Sequence, residues 1–113
     1  MAKRSSRVER PLRKSEFKVV FGTRQAAKGW QDLLAVQRGV VVDAWEFLTT
    51  RPCDRTADNY PLKDDLATVT RDGRTHEQGQ HKLAGGARIW FYVEEMEVVL
   101  IRVSTNHPHE TKT

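Results

Sequence analysis

The sequence predicts an α+β domain: an N-terminal strand, an antiparallel helical hairpin, then a three- to four-stranded antiparallel meander. Three observations carry this. Phe17-Lys18-Val19-Val20-Phe21 alternates as a short strand does. Two stretches of helical period, near 23–37 and 40–50, are separated by one short turn. From residue 67 onward, β-type segments follow one another with connections short enough only for hairpins.

Gly22 closes the first strand, and Thr23 suits an N-cap because its hydroxyl can accept from the orphan amides of a first turn. Ala26, Ala27, Trp30, Leu33, Leu34 and Val36 recur at close to helical spacing up to about Gln37, and Gly39 is expected to break the helix. Val40, Val41, Ala44, Trp45 and Leu48 mark one face of a second helix, which Pro52 ends beyond Thr50. Two helices joined this closely must lie antiparallel. Trp30 and Trp45 are expected in the core. Residues 51–65, rich in Pro, Asp and Asn, read as a loop anchored by Leu62 and Leu66. A short strand over Ala67–Thr70 leads into the turn Arg71-Asp72-Gly73-Arg74. A strand from Glu77 to Leu83, the turn Gly85-Gly86, a strand from Ala87 to Glu94, the turn Glu95-Met96 and a strand from Glu97 to Ser104 complete the order. The helices then cover one face of the sheet.

The chain has 113 residues, 38% hydrophobic and 30% charged, which suits one globular domain and argues against disorder. Its longest apolar runs, Val40–Val42 and Val98–Ile101, fall far short of the ~20 residues of a membrane span. No apolar segment follows the basic start Met1–Arg7, so a secretory signal is not expected. Cys53, the single cysteine, can form neither an internal disulfide nor a metal cluster of its own. These readings point to a cytoplasmic protein with no membrane partner.

The formal net charge of +4 resides entirely in residues 1–16, where Lys3, Arg4, Arg7, Arg10, Arg13 and Lys14 outweigh Glu9 and Glu16; residues 17–113 are neutral in sum. The first sixteen residues are therefore expected to form a basic, flexible leader to a single domain over 17–113. Such an arm would add salt-sensitive attraction to phosphate, or would only aid solubility. Within the neutral domain the signs segregate. Asp32, Asp43 and Glu46 lie in the helical region, whereas Arg71, Arg74, His76, His81, Lys82, Arg88, Arg102, His107 and His109 come later, with all four histidines between 76 and 109.

The order strand–helix–helix–meander, together with Gln80-His81-Lys82-Leu83-Ala84-Gly85-Gly86-Ala87-Arg88-Ile89-Trp90-Phe91-Tyr92-Val93 and the closing Val103-Ser104-Thr105-Asn106-His107-Pro108, resembles the RelE/ParE superfamily of bacterial type II toxins. The resemblance covers about residues 17–112. It implies a small toxin paired with a cognate antitoxin, in a possible hetero-oligomer. RelE-like members are metal-independent endoribonucleases that cut mRNA on the ribosome; ParE-like members inhibit DNA gyrase without nuclease chemistry. A protein that does no more than pair with an antitoxin is a third reading.

Metal-free RNA cleavage needs a base for the ribose 2′-OH, an acid for the leaving 5′-oxygen and cations for the charge on phosphorus. Arg88 falls on the arginine of the family pattern, and its guanidinium suits bidentate contact with phosphate; pairing with a carboxylate across the sheet is the competing role. Lys82 falls on the lysine that RelE-like enzymes use near the scissile phosphate. Alternation puts Gln80 and Lys82 on one face and His81 on the other, which leaves the general base open between Lys82 and His81. His107, just after the last strand, is a candidate acid for the leaving group. Arg71, Arg74, Gln80, Arg102 and Tyr92 are candidate RNA contacts, and Trp90 shares a strand face with Tyr92 by parity. No cofactor is expected. His107, His109 and Glu110 lack a further ligand at matching spacing, so no metal is expected either.

Overall fold

The computed structural model describes residues 10–105, which form an α+β domain of two helices, a five-stranded mixed sheet and a separate two-stranded hairpin. β1 (Lys18–Phe21) leads into α1 (Arg24–Val36) and α2 (Arg38–Thr50). β2 (Asn59–Pro61), β3 (Thr68–Arg71), β4 (Arg74–Glu77), β5 (Gly79–Lys82), β6 (Arg88–Glu94) and β7 (Glu97–Ser104) follow. The large sheet runs β1-β7-β6-β5-β2; β5, β6 and β7 are the antiparallel meander, and β1 adds to β7 in parallel. None of the described helices is long and apolar enough to cross a membrane.

Thr23 caps α1, its hydroxyl accepting from the Ala26 amide at 3.0 Å. The break between the helices falls at Gln37, not at Gly39. Gln37 has φ −141° and ψ 55°, while Gly39 lies in the first turn of α2 with nothing within 4 Å of the place a Cβ would occupy. One non-helical residue therefore suffices to separate the two helices. Ala26 and Leu33 of α1 and Val41, Ala44 and Leu48 of α2 bury against Ala87, Ile89, Phe91, Val98, Leu100 and Val103 of the sheet. Along β6 the odd residues face the helices and the even residues face away, as a period of two requires. Gly29 lets α1 rest on the backbone of β7: a Cβ there would lie 2.0 Å from the Val103 carbonyl oxygen.

Neither tryptophan expected in the core is fully buried. Trp30 packs against the core from its margin, edge-on to Phe21. Trp45 is half-buried, with the Arg10 guanidinium 5.2 Å from its ring centroid. Arg10 also grips Glu16 with two bonds of 3.1 and 3.0 Å, so residues 10–16 of the expected leader fold back on α2. The remainder of the leader lies outside the described residues.

Two boundaries differ from the pattern reading. The loop over 51–65 contains β2, an edge strand that tolerates Pro61 because its outward side needs no donor. The single strand expected from Glu77 to Leu83 is two strands in different sheets. Gln78, 4% exposed, sits where the chain passes between them. Its amide donates to the Ala67 carbonyl, its carbonyl accepts from Leu62 and its side chain donates to the Leu66 carbonyl, so a residue outside both ladders keeps its polar groups satisfied. The turn of the β3–β4 hairpin has positive φ at both Asp72 (53°) and Gly73 (80°), the type I′ geometry that Asp-Gly favours.

Candidate functional site

The sheet face turned away from the helices carries the candidate site, and strand register sets its layout. Lys82 on β5 lies directly opposite Arg88 on β6, which lies opposite Ser104 on β7. Like charges directly opposed on neighbouring strands repel. Even so, neither cation forms an ion pair among the described residues. The cross-sheet carboxylate that would have given Arg88 a structural role is therefore missing from its register. Asp58, just before β2, stands across the strand pair from Lys82: its carbonyl accepts from the Lys82 amide at 2.7 Å, but its carboxylate makes no ion pair with Lys82. An exposed lysine beside a half-exposed arginine, neither held in an ion pair among the described residues, makes an anion site suited to one phosphodiester.

The next row along the sheet is Tyr60, Gln80, Trp90 and Arg102. The Trp90 indole N–H donates to Gln80 Oε1 at 2.8 Å, and Gln80 Nε2 donates to the Tyr60 hydroxyl oxygen at 2.9 Å. The Arg102 guanidinium lies 5.5 Å from the Trp90 ring centroid, and its Nε donates to Ser104 Oγ at 3.3 Å. A β-bulge puts Arg102 on this face. Trp90 pairs with Arg102 but Phe91 with Leu100, so Ile101 is an extra residue, and Leu100 faces the core while Arg102 does not. Simple alternation would have put Leu100, Arg102 and Ser104 on one side. Lys82, Arg88 and Arg102 are thus brought together.

Other candidates are not at this patch. His81 faces the helices: it is 9% exposed, stacks on Phe47 at 4.7 Å between centroids and pairs with Asn59. Asn59 Nδ2 donates to the carbonyls of Pro52 (3.0 Å) and Asp54 (2.7 Å), so its Oδ1 faces the imidazole and accepts from Nδ1–H. Burial lowers the His81 pKa, a shift partly opposed by Asp58. Its ring serves the core and cannot reach a phosphate held by Lys82. Gln80 is 4% exposed and committed at both ends of its amide, which corrects its expected role as a direct RNA contact.

The β3–β4 hairpin folds over the far end of the same face and takes up three more candidates. His76 stacks on Tyr92 at 3.9 Å, leaving Tyr92 6% exposed and closed to a base. Arg74 forms an ion pair with Glu94. Arg71 donates to the Gly22 carbonyl at 2.7 Å, pinning the hairpin to the end of β1. Arg71 thus holds the hairpin down, whereas Arg74 stays largely exposed beside Glu94, at the far end of the face from Lys82. His107 lies outside the described residues; Ser104, three residues before it in the chain, adjoins Arg88.

Pattern reading missed Tyr60 and Ser104. Tyr60 was hidden by the loop-like composition around it, although an aromatic between Asn and Pro was a usable sign of an edge strand. Ser104 carried no signal until register put it next to Arg88. The assembled patch can bind an anion and present an indole beside it; within the described residues no imidazole adjoins it. Comparisons with protein-family profiles, curated proteins and solved structures returned no match to this chain.

Proposed function

We propose that the chain is a RelE-like toxin of a type II toxin–antitoxin system, acting as a metal-independent endoribonuclease on ribosome-bound mRNA. The observation that carries this reading is the Lys82–Arg88 pair on the outer sheet face, free of ion pairs among the described residues, with Arg102 one row away. Three cations kept close with no ion pair among the described residues cost stability, and an anionic substrate accounts for the arrangement. The element order agrees with the resemblance, since two helices precede an antiparallel β5–β6–β7 meander. In this reading Arg88 and Lys82 stabilise charge on the phosphate and His107 is the candidate acid. A cognate antitoxin with an acidic segment would neutralise the same patch.

One observation favours a ParE-like, gyrase-directed toxin as the second reading: His81 is turned into the core, so the described patch holds cations without an imidazole. A translation reaction with purified ribosomes separates the two. The expected result is mRNA cleavage on the ribosome, lowered about tenfold or more by Arg88→Ala. Intact mRNA together with blocked gyrase supercoiling would reverse the choice.

A further inference from the structure

The Trp90–Gln80–Tyr60 chain has a fixed polarity. An indole N–H can only donate, so the atom facing it must be the Gln80 carbonyl oxygen. The Gln80 amino group then faces Tyr60, whose oxygen must accept. Gln80 is 4% exposed, so no water competes freely to turn the amide round. The Tyr60 hydroxyl proton is left over, and among the described residues nothing accepts it. Tyr60 is thereby set as an outward donor.

Tyr60 also lines a cleft of about 450 Å³ between the 52–55 loop, β2 and β4, whose wall includes His76 and Tyr92. That volume suits a nucleoside-sized group. The charged residues of the wall are mixed, Arg55 against Asp54 and Glu77, unlike the all-cationic Lys82–Arg88 row. Tyr60 and the edge of His76, both partly exposed, put aromatic surface beside a neutral donor, which favours a base over a second phosphate. Resting on the RNA-cleaving reading above, we infer that this cleft is a nucleobase subsite for single-stranded RNA held at Lys82 and Arg88. The Tyr60 hydroxyl donates to a carbonyl oxygen or ring nitrogen of the base, and Trp90 is a positioning residue that acts through Gln80.

The test is fluorescence anisotropy with a short single-stranded RNA and with its abasic counterpart, which keeps the phosphates and lacks the bases. Tyr60→Phe should weaken binding of the base-bearing RNA about five- to tenfold and leave the abasic strand and the salt dependence unchanged. Trp90→Phe, which keeps Tyr60 but frees Gln80 to turn and accept its proton, should weaken the same probe in the same selective way. Equal binding of the base-bearing RNA by Tyr60→Phe and the parent, or equal losses on both probes, would overturn the subsite. Failure of the parent protein to bind either probe would instead overturn the RNA reading itself.

Discussion

Replacing Lys82 by Met removes one charge from the Lys82–Arg88 pair and keeps most of the aliphatic stem. The register makes two opposite effects follow from this one change. Opposed like charges on neighbouring strands cost ~0.2–1 kcal/mol. Lys82→Met should therefore stabilise the fold at low salt by about 0.5 kcal/mol, raising Tm by roughly 2–3 °C for a domain of this size. The gain should shrink as salt screens the repulsion. Binding should move the other way. Each phosphate contact on a single strand contributes a slope of about −0.7 to log K against log salt. Between roughly 50 and 200 mM salt, one contact thus accounts for a ~2.6-fold loss of affinity, and the pair for ~7-fold. Lys82→Met should flatten the slope by about 0.7, and the double variant with Arg88→Met by about 1.4. Thermal melting and anisotropy titrations with short RNA over that salt range measure both. A less stable Lys82→Met protein with an unchanged salt slope would show that the pair is structural and would refute the argument.

Two further outcomes test the scaffold. Gly29→Ala should destabilise by about 2 kcal/mol in urea unfolding, because forcing a methyl against the Val103 backbone costs ~1–3 kcal/mol or more and outweighs the ~1 kcal/mol of helix propensity gained; equal or greater stability would mean that α1 does not rest on β7 this closely. For His81, burial lowers the pKa from 6.5, so the unfolded chain takes up its proton first. Folding should therefore lose stability as the pH falls below about 6.5, until folded His81 also protonates. Urea midpoints between about pH 8 and 5 should show a shallower acid decline for His81→Gln, whereas superimposable profiles would contradict a buried neutral imidazole.

Local chemistry was enough to specify much of the chain. Thr23 capped its helix, Asp72-Gly73 and Gly85-Gly86 turned the chain, and the alternation of Ala87 to Glu94 assigned each side chain of β6 to a face, because capping, turn dihedrals and strand period act over a few residues. It also put His81 and Lys82 on opposite faces. The rest depended on contacts between residues distant in sequence. Only register set Arg88 between Lys82 and Ser104, and only the bulge at Ile101 turned Arg102 outward. Folding of the β3–β4 hairpin over the sheet withdrew Arg71 and Tyr92 and set Arg74 beside Glu94. A strand's period says which residues share a face; which neighbours they meet there, and what then covers them, is fixed by pairing energies summed over the whole sheet.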